Sequence, residues 1–248
     1  MRVAGLHVYP VKSTRARDVS AAEVEPWGLA GDRRFMVVDS EGRHLTAREE
    51  PRLLSVSAVQ RGASDLILHG PHADPVVVPR SQYPTTWVKI WRDDVLAVQP
   101  SAAADAWFSA LLERDARLVW LSDPISRQVN PAYAEAGDTV SFADGYPLLL
   151  TATASLSQLN DWITAAALQR GDSGVAPLPM RRFRPNVVVE TMEPFAEDGW
   201  QKVHIGSVPF RVAKGCDRCV LTTIDPDTLV KGLEPIRTLA LHRKRDGK

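Results

Sequence analysis

Within the first hundred residues, short apolar runs recur at close spacing, each closed by a turn containing Gly, Pro or Asp, and no helical stretch separates them. That rhythm restricts the segment to a barrel or a sandwich, because a parallel α/β sheet needs a crossover helix between successive strands. The spacing predicts strands over 3–8, 34–38, 43–47, 53–59, 65–69, 75–79, 86–91 and 95–98. Asp39-Ser40-Glu41-Gly42 lies between two of these runs and has the residues of a hairpin turn.

The pattern changes near residue 101. Residues 101–113 read as a helix with Ser101 as N-cap and Trp107, Phe108, Leu111 and Leu112 on one side. A strand over 117–121 follows. A second helix starts near Thr153, where Leu156, Leu159, Ile163 and Ala166 recur at helical spacing, and it ends at a loop over 171–179. Short β-branched strands return over 186–190, 202–205, 208–213 and 220–224, with Gly206-Ser207 as a tight hairpin turn. Residues 242–248 read as a frayed basic tail. The fold class expected is mainly β with a few helices (α+β), divided into a β domain over 1–100 and a second β domain with helices over 101–248.

A chain of 248 residues can bury a core without covalent staples. Its two cysteines, Cys216 and Cys219, form neither a secreted disulfide framework nor a four-thiolate cluster site, which points to a reducing, cytoplasmic setting. Thirty Lys and Arg balance thirty Asp and Glu, so the strongly basic face of a duplex-DNA binder is not expected. No leader and no apolar run of transmembrane length is visible. The expectation is a protein that binds a small anion, with no nucleic acid and no membrane among its partners.

Cys216-Asp217-Arg218-Cys219 is the sharpest local feature. A thioredoxin-like dithiol would cap a helix, whereas here a strand precedes the pair and a β-branched run follows. Zinc would need further ligands, and the histidines at 7, 44, 69, 72, 204 and 242 offer no matching spacing. The alternatives left are two small buried hydrophobes, or one thiolate favoured by Lys214 and Arg218 as nucleophile or soft-metal ligand. Three cationic clusters accompany the pair: Tyr9-Pro10-Val11-Lys12-Ser13, Asp32-Arg33-Arg34 and Arg181-Arg182-Phe183-Arg184-Pro185-Asn186. Their Lys and Arg, beside Ser and Asn donors, suit a phosphate or a polar heterocycle, although each taken singly reads first as a solvated surface cluster.

Taken in order, Tyr9-Pro10-Val11-Lys12-Ser13, Gly31-Asp32-Arg33-Arg34-Phe35, Leu45-Thr46-Ala47-Arg48, Phe183-Arg184-Pro185-Asn186 and the segment from Cys216 to Asp227 resemble MOSC proteins that carry an N-terminal β-barrel domain. That group includes amidoxime-reducing components and bacterial reductases of N-hydroxylated bases. The resemblance implies two β-barrel domains with a molybdenum cofactor, Mo-molybdopterin, held between them, and Cys219 as the metal's protein ligand. By motif position Lys12, Ser13, Arg34 and Asp144 would contact the cofactor from the N-terminal side, and Arg184, Asn186, Asp217 and Arg218 from the MOSC side. Gly145 and Tyr146 stand where relatives often have small hydroxyl residues. The implied activity is reduction of N-hydroxylated or N-oxide compounds, with Cys219 setting the metal's electronics and Asp225 or a water relaying protons. The alternative is a carrier of the cofactor, or of sulfur as a persulfide on Cys219, without its own turnover.

Two departures from the pattern complete the expectation. Bacterial relatives often add a C-terminal ferredoxin domain, whose cysteines are not seen here, so electrons are expected from a separate flavin, haem or iron–sulfur protein. Little follows Arg237-Thr238-Leu239, so the second barrel is expected either to close in an abbreviated way or to lack its final strands.

Overall fold

The computed structural model describes residues 1–61, 65–79 and 84–244. In chain order the strands begin with β1 (Arg2–Val8), β2 (Arg17–Val19), β3 (Val24–Glu25), β4 (Gly28–Leu29) and β5 (Phe35–Val38). Next come β6 (Ser57–Arg61), β7 (Asp65–Gly70), β8 (Ala73–Pro79), β9 (Thr85–Ile90) and β10 (Asp93–Val98). Helix α1 (Ala102–Leu112) and β11 (Arg117–Trp120) precede β12 (Leu150–Ala152) and α2 (Thr153–Gln169). The chain continues through β13 (Val187–Glu190), β14 (Lys202–Ile205) and β15 (Val208–Arg211) to α3 (Ile236–His242). The fold is therefore mainly β with a few helices. It divides into two compact units, residues 7–147 and residues 1–6 with 148–248.

In the unit of residues 7–147, β5, β11, β10 and β9 form one antiparallel sheet in that order, and β6, β7 and β8 form a meander. Met36, Val38, Val88, Ile90, Val95, Ala97, Val119, Leu121 and Phe142 pack as one buried cluster. Their alternation along the strands supplies the hydrophobic face that holds the sheet in register. Helix α1 starts where Ser101 accepts a hydrogen bond from the Ala104 N–H, and it buries Ala104, Phe108 and Leu112. Trp107 lies at the margin of that face. Its ring covers Gly70, where a Cβ would come within 2.7 Å, and its Nε1 donates to the Asp74 carbonyl at 2.9 Å. Replacing Ser101 with Ala removes the cap, and a loss of about 1 kcal/mol is expected in urea unfolding.

Two expected strands take other forms in this unit. Residues 43–47 make single bridges in place of a strand: Asp39 N donates to Arg43 O, and Leu45 N donates to Val37 O. The chain then turns away at Thr46, whose carbonyl accepts from both Glu49 and Glu50. The front half of 53–59 belongs to the 3₁₀ turn Pro51–Ser55, which Pro51 opens with its fixed φ and missing N–H, and β6 begins only at Ser57.

In the other unit, β12 and β13 pair in parallel, joined through α2, and residues 2–6 of β1 add antiparallel to β13. Helix α2 buries Ser155, Leu159, Ile163 and Ala167, so Ala167, and not Ala166, completes its inward stripe. Leu159, Ile163 and Phe183 form a core against which Leu239 of α3 packs. Helix α3 itself was not expected from the sequence. It includes His242, and of the expected basic tail residues 245–248 lie outside the described residues. β14 and β15 form the expected hairpin, with Gly206 at φ +60° in its turn. No helix among the described residues is long and apolar enough to cross a membrane.

Candidate functional site

In the unit of residues 7–147 the fold brings Lys12 to Asp144, 132 positions away in sequence. Lys12 follows β1 with its backbone N–H bonded to the Phe35 carbonyl, so its side chain enters the interior and is 6% accessible. Its ammonium donates to the Phe142 carbonyl at 2.9 Å and to the Asp144 carboxylate. Burial pushes this ammonium down to about 8, against the upward pull of Asp144. The other oxygen of Asp144 accepts from Arg48 at 3.0 Å. Desolvation alone would raise the Asp144 pKa, but Lys12 and Arg48 together hold it well below the usual carboxylate range. One carboxylate therefore sits between two cations, and the group keeps a net positive charge at neutral pH. Ser13, buried beside Lys12, has φ +69°, a left-handed conformation that a serine adopts at some cost.

The two arginines of Asp32-Arg33-Arg34 separate. Arg34 donates to the carbonyls of Leu121 and Ser122 and lies 5.5 Å from the Trp27 ring, a bracing position on the sheet. Arg33 pairs with the buried Asp32 and lies 4.2 Å from the Tyr9 ring, and its charge also acts on Lys12 and Asp144. Arg127, 4% accessible, joins Asp93 to the carbonyls of Ser141 and Ala143 at 2.9, 2.5 and 2.6 Å, and thereby fixes the segment that ends at Asp144. Sequence reasoning did not assign Arg48 or Arg127 a role. Arg48 closes the Leu45-Thr46-Ala47-Arg48 motif, but nothing in its spacing points to Asp144.

In the other unit the structure brings the 181–186 cluster to the Cys216–Asp227 segment. Arg218 lies 5.3 Å from the Phe183 ring, and Arg182 donates to the Thr223 carbonyl at 3.0 Å and to Asp225 at 2.8 Å. The expected strand over 220–224 is instead a 3₁₀ turn, Val220–Thr223. Its hydroxyls explain the difference: Thr222 bonds back to the Cys219 carbonyl at 2.9 Å and Thr223 to the Val220 carbonyl at 2.7 Å, satisfying in a turn what a strand would leave open. Cys219 stands at the head of this turn, partly accessible, and Cys216 is exposed, so the reading of both as buried hydrophobes does not hold. Lys214 pairs with Asp217 at 3.2 Å.

Arg184 sits in a left-handed conformation, φ +55°, at the end of the 3₁₀ turn Met180–Phe183. Asn186 is buried and clasps residue 149, accepting from the Leu149 N–H through Oδ1 at 3.3 Å. Asp225 accepts from the Asp227 and Thr228 N–H groups through one oxygen and from Arg182 through the other. The Thr228 bond leads these in holding its carboxyl below the ordinary value. A carboxylate so engaged braces its loop and is poorly placed to relay a proton.

Two family profiles match most of the chain. One described as the MOSC N-terminal beta barrel domain matches residues 1–115, and one described as the MOSC domain matches residues 137–248. The chain belongs to the MOSC family. Among similar proteins, mitochondrial amidoxime reducing component 2 of Homo sapiens is 34% identical over 98% of this chain and 73% of its own length. Mitochondrial amidoxime-reducing component 1 of Homo sapiens is 30% identical over 98% and 72%, and that of Danio rerio 31% over 99% and 76%. The motifs that carry the MOSC resemblance thus supply Lys12 and Arg48 around Asp144 in one unit, and in the other the Phe183–Arg218 contact beside Cys219.

Proposed function

We propose that this MOSC protein is a molybdenum-cofactor-dependent reductase of N-hydroxylated compounds. The observation that carries the reading is the donor set: a partly accessible thiol fixed at the head of a hydrogen-bonded turn, in a chain whose Lys12 and Arg48 exceed the charge of Asp144. Among the described residues no three His, Cys, Asp or Glu side chains gather as metal ligands. A metal held through Cys219 would therefore need most of its ligands from an organic group, and a pterin dithiolene carrying a phosphate fits that requirement. Such a cofactor supplies a two-electron reduction of an N–O bond, which consumes two protons and releases water.

The chain's own residues have separate tasks. Cys219 provides the soft donor, and the Thr222 and Thr223 hydroxyls hold its turn. In the unit of residues 7–147, Lys12 and Arg48, with Ser13 beside Lys12, would offer charge and hydrogen bonds to an anionic group; in the other unit, Arg184 and Arg218, with Asn186 and Asp217, would offer the same to a phosphate or a pterin. Asp144 keeps Lys12 protonated and Arg48 in place. Arg34 and Asp225 brace the sheet and the loop. The electrons would come from a partner protein.

Support also comes from the similar mitochondrial amidoxime-reducing components, whose names describe reduction of an N-hydroxylated group. The test is turnover: chain loaded with molybdenum cofactor, an aryl amidoxime and a chemical reductant such as reduced viologen, with amidine measured by chromatography. Steady amidine formation that needs the loaded chain is expected. A loaded chain inert toward amidoximes, N-hydroxylated bases and N-oxides would contradict the reading and favour a carrier.

A further inference from the structure

Trp91 belongs to none of the motifs, yet it stands against the cationic cluster. It is the first of the two residues that join β9 to β10, where Ile90 pairs with Asp93. Its φ is +54°, in the region that two-residue hairpin turns normally reserve for Gly or Asn. A bulky aromatic residue held there is strained, and strain of this kind persists where something gains from it. The indole is 39% exposed, so burial of the ring is not the whole gain.

What the ring does touch is polar. The Arg48 guanidinium lies 4.6 Å from its centroid and the Lys12 ammonium 5.8 Å, both within cation–π range. The His44 ring meets it edge-on at 4.5 Å. The turn is clamped from behind, because Arg127 bonds Asp93 and the carbonyls of Ser141 and Ala143 at once. The indole is therefore held in fixed relation to the segment that carries Asp144.

We propose that Trp91 is a positioning residue for the Lys12–Asp144–Arg48 cluster. Two cations that share one carboxylate repel each other, and the negative face of the indole offsets part of that repulsion. It also denies the long, partly exposed Arg48 side chain an alternative path into water. This inference rests on the proposed function for its purpose but not for its geometry.

The turn conformation makes a clean test possible. Trp91→Gly removes the ring while relieving the backbone, and Trp91→Phe keeps a ring. Arg48 reactivity toward phenylglyoxal, mapped by mass spectrometry on cofactor-free protein, is expected to rise about two- to fivefold in Trp91→Gly and to return toward the wild-type rate in Trp91→Phe. Thermal stability of Trp91→Gly is expected to equal or exceed wild type, since Gly suits the turn. Unchanged Arg48 labelling would overturn the proposal, as would collapse of the fold in Trp91→Gly, which would make the ring a structural element. Cofactor content measured in the same proteins separates the two readings. If even wild type holds none, the proposed function fails while the labelling still decides the role of Trp91.

Discussion

Asp144→Asn destabilises the protein by about 2 kcal/mol at pH 7, below the 3–5 typical of breaking a buried pair. The reduction has two causes: the Asp144 side chain is 57% accessible, and Lys12 keeps its bond to the Phe142 carbonyl. The loss is nevertheless large, because the variant leaves the buried ammonium without its counter-charge. Lys12→Met leaves Asp144 with Arg48 and is expected to cost less than about 1 kcal/mol.

The pH dependence follows from the sign of the Lys12 shift. Its folded pKa is about 8, below the roughly 10.4 of an unfolded lysine. Below the folded value both states carry the proton and the penalty for burying charge is constant. As pH rises through the interval the unfolded chain holds a proton that the folded chain has released, so stability increases with pH. In Asp144→Asn the folded value moves further down, and the rise begins at lower pH. In Lys12→Met this rise is absent. Urea midpoints across pH 7 to 10 measure the slope, and equal slopes in wild type and Lys12→Met would exclude the assignment.

The sheets were legible because their information is local. Val88 and Ile90 alternate with exposed neighbours as a half-buried strand requires, Phe35–Val38 is a continuous apolar run buried on both faces, and Ser101 announces α1. The parallel pairing of β12 with β13 was not legible, since β12 has only three residues. Val220–Thr223 misled for a physical reason: β-branched residues favour strands, but two adjacent threonines can close a turn with their own hydroxyls.

For the candidate residues, motif position pointed to Lys12, Asp144 and Cys219, while the contact of Lys12 with Asp144 was invisible. Arg48 meets Asp144 across 96 positions, which no periodicity encodes. Arg33 and Arg34 are adjacent in sequence, and only the course of the backbone decides that Arg34 turns to Leu121 while Arg33 acts on the cluster. Trp91 read as the last residue of a strand. Its positive φ lacks the glycine that would have marked a turn.

The assignment of Cys219 carries the second large effect. Its thiol heads a turn closed by Thr222 and Thr223, whereas Cys216 lies exposed in the irregular segment before it. As the metal's protein ligand, Cys219 would be indispensable and Cys216 dispensable, although the two share one motif. The decisive measurement is molybdenum per chain in wild type, Cys219→Ala and Cys216→Ala, purified anaerobically from a host that makes the cofactor. Near-stoichiometric metal in wild type and Cys216→Ala, with loss in Cys219→Ala, is the expected result. Metal absent from all three, or retained in Cys219→Ala, would contradict the account.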